Sequence, residues 1–406
     1  MKIKEVRPIL LSCPYSDINK NFEVIKHLNS GYKTIGLVEI KLENGLKGYG
    51  EGYLAVFAPK VFTEIVNLIS PYLIGEDCKN NKKLIEKIKL ITGYWSYQGA
   101  AQHVISAIDI AIFDCVAQIQ GIPLFKLLNK NSKNSIELYG SGGDSISPEF
   151  IDEEFNYLES LGISNFKIRA RRSDIYKSRY VLRKGKSKGV KIAIDMTQNL
   201  SIPGNTVNDV IEFFSKIQDQ IHYELLFMEE VFGIEGLNNY AILKNKLSVK
   251  LAGGEIVTNT YDMKLRIDKH LYDIVQPDAS VIGGITAVNE IFNLCNNKKS
   301  DVYVHTWGGP VSMLANYHVA IANEGKMAEW PMPKYNVRNE LVKNPWKILN
   351  GKLIISDQPG LGIYLTNEIE NKYKFRENSF YNCIGDDSKF IDDKIWQKVE
   401  NKKLVK

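Results

Sequence analysis

FKIRA (166–170), KIAIDM (191–196), LLFMEE (225–230), KLAGGE (250–255), DIVQPD (273–278) and VYVH (302–305) are short apolar runs that end on or beside a polar residue. Those ends carry Lys167 and Arg169, then Asp195, Glu229, Glu255, Asp278 and His305. From Lys167 the steps are 28, 34, 26, 23 and 27 residues, and Glu329 follows 24 later. That pitch suits one strand plus one helical return. If the runs are neighbouring parallel strands, their polar ends share one rim. There, three carboxylates could hold a metal beside candidate bases.

Working outward, apolar runs alternate with amphipathic segments from about Ile136, the pattern of parallel strands with helical crossovers. Strands are expected at 136–140, 165–169, 190–195, 225–229, 249–255, 272–276, 302–305 and 326–329. Eight suit a closed barrel, whose chemistry sits at the C-terminal ends of its strands. An open doubly wound sheet is the rival, but it more usually carries a glycine-rich phosphate turn. YGSGGD (139–144) is a poor match to that fingerprint.

Before Ile136 the chain reads as α+β. A strand is expected at 2–11, then a polar stretch from Pro14 to Gly31. Two β-rich runs, Lys33–Leu42 and Leu46–Gly52, are joined by Glu-Asn-Gly, a hairpin signal. A helix over 99–120 places Val104, Ile108, Ile112, Cys115 and Ile119 on one stripe and stops at Gly121 and Pro123. After the barrel, 351–365 reads as a strand–turn–strand returning to the first domain, and 366–406 gives no functional reading. Tyr94, Trp95 and Tyr97 read as ordinary packing, with a pocket wall or an oligomer contact as the other readings.

Of the 406 residues, 44% are hydrophobic and 24% charged, which is ordinary for a soluble globular protein. The net charge of +5 is small for this length and reads first as solvated surface, with a mildly basic field that favours an anionic small substrate as the lesser reading; no basic tract interleaved with aromatics points to nucleic acid. The five cysteines, at 13, 78, 115, 295 and 383, form no CxxC or Cys–His spacing, which fits a reducing compartment. No secretory signal is expected, nor any stretch approaching the roughly 18 apolar residues of a membrane span. A cytoplasmic protein, with no membrane partner, is the expectation.

Singly, each acid is a surface or capping group. Together, Asp195, Glu229 and Glu255 at three successive rims repel one another unless a cation joins them, and hard oxygen ligands suit Mg²⁺. His305 alone would be structural. Beside Asp278, which can fix its tautomer, it becomes a candidate general base or acid. Lys167 and Arg169 share one strand face. A lysine can become a base, whereas arginine stays protonated.

These residues resemble the enolase superfamily, and within it the mandelate racemase-like branch of the mandelate racemase/muconate lactonizing enzyme-like family, over roughly residues 1–365. The motifs carrying the likeness are SAIDIAIFDCVAQIQGIPLFKLL (106–128), K-x-R (167–169), IDMTQN (194–199), MEE (228–230), AGGE (252–255), DIVQPDASVIGGIT (273–286), HTWGGP (305–310), AEWP (328–331) and PGLGI (359–363). The resemblance implies a modified (β/α)₇β TIM-type barrel at 129–345, an α+β capping domain at 1–128, and a return plus tail at 346–406. It implies Mg²⁺ on Asp195, Glu229 and Glu255 and an enediolate formed by removing the proton α to a carboxylate, as is general for this superfamily. The His305–Asp278 pair marks the branch. Glu329 would hydrogen-bond the substrate carboxylate or enediolate, segments near 14–31 and 52–58 would close over the substrate, and the protein would be a homo-oligomer.

Three positions depart from that pattern: Arg169 stands where a second lysine is usual, Thr197 where asparagine is, and Val231 where proline is. Arginine on one face of the α-carbon disfavours a racemase with two bases. An acid-sugar dehydratase is therefore the leading expectation. A racemase, epimerase or cycloisomerase acting on another carboxylate is the second reading, and a catalytically degenerate binding protein is the third.

Overall fold

The computed structural model describes residues 1–16, 31–145, 147–197, 203–298, 300–381 and 395–399. Most of the 14–31 stretch, residues 17–30, lies outside these, as do 198–202 and the end of the chain from 382 apart from 395–399.

The chain opens with an antiparallel sheet of β1 (Ile3–Pro14), β2 (Tyr32–Leu42) and β3 (Lys47–Glu51). The β2–β3 turn runs through Asn44-Gly45, with Gly45 at φ 88°. Helix Ala100–Gln120 packs on the sheet and ends at left-handed Gly121, φ 67°. Gly50 allows that approach, because a Cβ there would strike the Ala107 carbonyl. The predicted stripe is buried as far as Cys115, but so are Ser106, Ile110 and Ala117 on the opposite face. The helix is sandwiched: Asp109 accepts the Thr286 N–H of a barrel helix at 3.0 Å, while Asp114 accepts from Tyr49 N at 2.9 Å and Leu361 N at 2.8 Å. This corrects the expectation that no stretch is apolar enough to span a membrane. The helix reaches a mean hydropathy of 1.5 over a spanning length, with 78% of that window buried inside the protein. Tyr94, Trp95 and Tyr97 also depart from expectation, since all three are exposed rather than packed.

The barrel is built of β4 (Ser135–Gly142), β5 (Asn165–Arg169), β6 (Lys191–Asp195), β7 (Met228–Glu229), β8 (Leu251–Gly253), β9 (Ile274–Val275), β10 (Asp301–Val304) and β11 (Met327–Pro331). Each pairs in parallel with the next, and β11 closes on β4. Among the described residues, a helix of eight or more residues follows each strand from β4 to β10, whereas only Val337–Glu340 follows β11. Strand alternation sorts the side chains. Phe166, Ile168, Ile192 and Ile194 pack outward under the helices; Tyr139, Ala193, Phe227, Ala252, Ile274 and Tyr303 fill the interior. Rings of Tyr139, Phe227 and Tyr303 stand 5.7–6.4 Å apart and plug the barrel, so the polar ends sit on an aromatic floor.

β12 (Lys347–Leu349) and β13 (Lys352–Ile354) form a hairpin that extends the barrel sheet antiparallel at β4. Its turn is Asn350-Gly351, with φ 49° and 74°, the positive pair a tight hairpin needs. The strand–turn–strand expected over 351–365 is therefore one strand whose partner lies upstream. Pro359 has no N–H for a ladder, and the following Gly360 bonds instead to Ile122 O and Leu124 N, each at 3.0 Å.

Candidate active site

The parallel register sets Arg169 beside Asp195 and Asp195 beside Glu229 at the C-terminal rim of β5, β6 and β7. Lys167 is buried among the acids. Its Nζ lies 2.5 Å from Glu229 Oε1, 3.0 Å from Glu329 Oε1, 3.9 Å from Asp195 Oδ2 and 5.6 Å from the Tyr139 ring centre. Arg169 bonds Asp144 Oδ2 at 2.9 Å, approaches Asp195 at 3.7 Å and stacks 3.9 Å from the Trp307 ring centre. Beyond β10, His305 Nδ1 meets Asp278 Oδ2 at 2.8 Å; its Nε2 faces Glu255 at 3.4 Å and Glu329 at 3.8 Å. All the expected residues thus meet at one mouth.

The charges are unequal. Six carboxylates (Asp144, Asp195, Glu229, Glu255, Asp278 and Glu329) surround two fixed cations, Lys167 and Arg169, plus His305. Burial, and then Glu255, push Asp195 up to about 6 despite Lys167. Burial likewise drives Glu229 well up, with Asp195, Glu255 and Glu329 adding to it, although Lys167 holds one of its oxygens. Burial opposes the lysine's charge, but Glu229 and Glu329 keep it a cation. Burial would raise Glu329, yet Lys167 and His305 outweigh it and hold it at about 2. Burial also works against a charged His305, but Glu255, Glu329 and the Asp278 hydrogen bond lift it to about 10.

The site is thus rich in negative charge and in hard oxygen donors, the chemistry that suits a small dication. Among the described residues, however, no three acidic, histidine or cysteine side chains close as a formed ligand set. Lys167 lies between the acids, Gln276 Nε2 holds the second Glu229 oxygen at 2.5 Å, and Thr197 N holds Asp195 Oδ1 at 2.7 Å. The donor types fit Mg²⁺; gripping it requires Glu229 to turn from Lys167. Thr197 sits at φ 43°, a left-handed conformation that suits asparagine better than a β-branched residue.

Several participants escaped the sequence reading. Asp144 ends the YGSGGD run set aside as a failed nucleotide fingerprint, and Gln276 lies inside DIVQPD. Glu51, at the end of β3, accepts Gly309 N and, at 2.9 Å, Ser312 N, capping helix Pro310–Ala322 from the other domain. Lys33 donates to Trp307 O at 2.7 Å. The Gly308-Gly309 pair of HTWGGP makes room, since a Cβ on Gly309 would lie 2.9 Å from both Glu51 oxygens. Asp278 is held just as firmly. Its Oδ1 accepts Ser280 N and Ser280 Oγ at 2.7 Å each and Asn316 Nδ2 at 2.9 Å.

Residues 26–129 match the mandelate racemase / muconate lactonizing enzyme N-terminal domain, and residues 151–369 match the enolase C-terminal domain-like family. The chain belongs to the mandelate racemase/muconate lactonizing enzyme family of the enolase superfamily, a family of enzymes whose members generally use Mg²⁺. It is 28% identical over 384 residues to an arabinonate dehydratase of Saccharolobus solfataricus, covering 92% of this chain and 99% of that one. It is 23% identical to a D-galactarolactone cycloisomerase of Agrobacterium fabrum, over 92% and 99% of the two chains. In fold it resembles the 3,6-anhydro-D-galactonate cycloisomerase of Zobellia galactanivorans, with a TM-score of 0.81, 24% identity and coverage of 93% and 100%.

Proposed function

We propose that this chain removes the proton α to the carboxylate of a sugar acid and expels the β-hydroxyl as water, leaving a 2-keto-3-deoxy acid. Asp195, Glu229 and Glu255 would hold Mg²⁺, whose charge eases the build-up of negative charge on the substrate carboxylate. His305 is the proton carrier: Mg²⁺ held by Glu255 would offset the foremost of the charges that keep the ring protonated, leaving Nε2 free to accept. Asp278 engages Nδ1, so Nε2 is the nitrogen presented to the mouth. The α C–H bond breaks, its proton passes to Nε2 and its electron pair enters the carboxylate as an enediolate. The same Nε2–H then protonates the β-hydroxyl, the C–O bond breaks, water leaves, and the enol becomes the ketone. Lys167 and Arg169 offset the anionic charge, and Glu329, held ionised, accepts from a substrate hydroxyl.

One observation carries elimination over racemisation. Arg169 is bound to Asp144 and covered by Trp307, while Lys167 keeps its ion pair with Glu329 at 3.0 Å even when Glu229 turns to a metal, so both stay protonated and neither takes up a proton. A single proton-transfer residue suffices when the leaving hydrogen and hydroxyl share a face; inversion needs a base on both faces. The likeness to an arabinonate dehydratase supports the substrate class. The likeness to two cycloisomerases favours one alternative, the same α-proton removal without loss of water. A homo-oligomer is part of the same reading, and the free Cys13, Cys78, Cys115 and Cys295 support a cytoplasmic setting.

Incubation with a panel of sugar acids and Mg²⁺, assayed for 2-keto-3-deoxy products, tests the proposal. Deuterium entering the α-carbon without water loss would instead support cycloisomerase or epimerase chemistry. Ligand binding with no exchange would point to a binding protein, and silence of folded, Mg²⁺-loaded protein across the panel overturns the reading.

A further inference from the structure

The segment after Lys372 takes no part in that chemistry and lies beyond residues 151–369, which match the barrel family. It is nonetheless tied into the first domain. Ser12 N donates to Tyr373 O at 2.8 Å, and Leu11 bridges Lys374. Arg376 N donates to Ser12 Oγ at 2.9 Å, and its guanidinium lies 4.3 Å from the Tyr32 ring centre. Ser379 is fully buried: it donates to Arg376 O at 2.6 Å and lies 2.5 Å from Ser12 Oγ and 3.0 Å from Thr34 Oγ1.

Two residues on, Tyr381 N donates to Val56 O at 2.8 Å. From there an edge-on series of rings runs to the catalytic pair. Tyr381 meets Phe57 at 5.5 Å, Phe57 meets Tyr53 at 5.5 Å, and Tyr53 meets the His305 imidazole at 6.2 Å, with interplanar angles of 76°, 81° and 82°. Tyr53 N also donates to Ser280 O at 3.2 Å, two residues after Asp278. Tyr53–Val56 is a single 3₁₀ turn without a side-chain cap. So short a turn does not hold its own orientation. Leu54 and Ala55 anchor the turn's backbone in the first domain's core; the Tyr53 ring it presents is bordered by His305 on the barrel side and, through Phe57, by Tyr381 on the other.

We infer that Tyr373–Tyr381 is a strap that fixes Tyr53 against His305, with Tyr381 as its positioning residue. The wall through which a substrate reaches the imidazole is thereby set by a part of the chain outside the matched barrel domain. Loosening the strap would free Tyr53 to swing, widening the pocket beside Nε2 and weakening the hold on the distal carbons of the substrate.

The inference rests on His305 being the proton carrier, and its test reads the ring directly. Full-length protein labelled with ¹⁵N-histidine is compared as wild type, Tyr381→Ala, Tyr381→Phe and Phe57→Leu, with Tyr53→Ala as reference. Tyr381→Ala and Phe57→Leu are expected to move the His305 imidazole resonances in the direction set by Tyr53→Ala. The resonances of half-buried His103 and buried His318 should stay in place, and Tyr381→Phe should overlay wild type. On a sugar acid that is turned over, KM should rise about tenfold in Tyr381→Ala with kcat nearly unchanged, the pattern of lost ground-state positioning. Unmoved His305 signals, or displacement of all three histidines alike, overturn the strap. Moved His305 signals in a protein that turns over no sugar acid uphold the strap and overturn the dehydratase reading.

Discussion

Replacing Asp278 by asparagine should silence the site without disturbing Asp195, Glu229 or Glu255. Three donors converge on Asp278 Oδ1, namely Ser280 N, Ser280 Oγ and Asn316 Nδ2, all within 2.9 Å. An asparagine must present its carbonyl oxygen to them, which turns its NH₂ towards His305 Nδ1, now 2.8 Å from a carboxylate oxygen. Facing a donor, Nδ1 must accept, so the ring proton moves to Nε2. A neutral imidazole protonated at Nε2 cannot receive the α-proton. The loss of general base catalysis is about 10²–10⁴-fold in kcat, or about 3–5 kcal/mol in barrier. The assay is sugar-acid turnover together with α-deuterium exchange, run beside ¹⁵N spectra that report the His305 tautomer. Turnover within a few-fold of wild type in a variant whose tautomer has flipped would refute the reasoning.

Three further outcomes concern the supports of the site. Thr197→Asn should raise stability by about 1 kcal/mol, because asparagine tolerates the left-handed backbone at φ 43° better than threonine; an unchanged or lowered denaturant midpoint counts against stored strain there. Gly309→Ala should lose about 1–3 kcal/mol through overpacking against Glu51 and Ile35, and a midpoint equal to wild type would show that the two domains are not so closely fitted. His318 is buried and accepts Phe125 N–H on Nδ1 at 3.0 Å; burial holds it down at about 3, against an ordinary 6.5. Between those values the unfolded chain binds more protons, so stability is lost as pH falls below 6.5, by about 3 kcal/mol at pH 4.5. His318→Gln, which cannot charge, should melt with a flatter pH profile over that window, and an identical slope would exclude His318 as the cause.

The barrel was legible because each strand repeats one local rule, an apolar run closed by a polar end. The same rule exposed Lys167, Asp195, Glu229, Glu255, Asp278, His305 and Glu329. What stayed hidden depends on partners far apart in sequence. Glu51 meets Gly309 across 258 residues, and nothing near Glu51 marks it as the cap of a distant helix. Asp144 became meaningful only once β4 and β5 set it beside Arg169. The Asn350-Gly351 hairpin was a local signal passed over, identical in kind to the Asn44-Gly45 turn that was recognised. Helix Ala100–Gln120 gave a one-sided stripe in sequence, yet the structure covers it on two sides.

The central claim is that Asp195, Glu229 and Glu255 close around one dication, which requires Lys167 to release Glu229. Crystals grown with Mn²⁺ in place of Mg²⁺ test this by anomalous diffraction. The account predicts a single strong peak about 2 Å from an oxygen of each of the three side chains, with Lys167 Nζ withdrawn from Glu229. A peak that omits any one of the three, or no peak at that mouth at saturating metal, would contradict it.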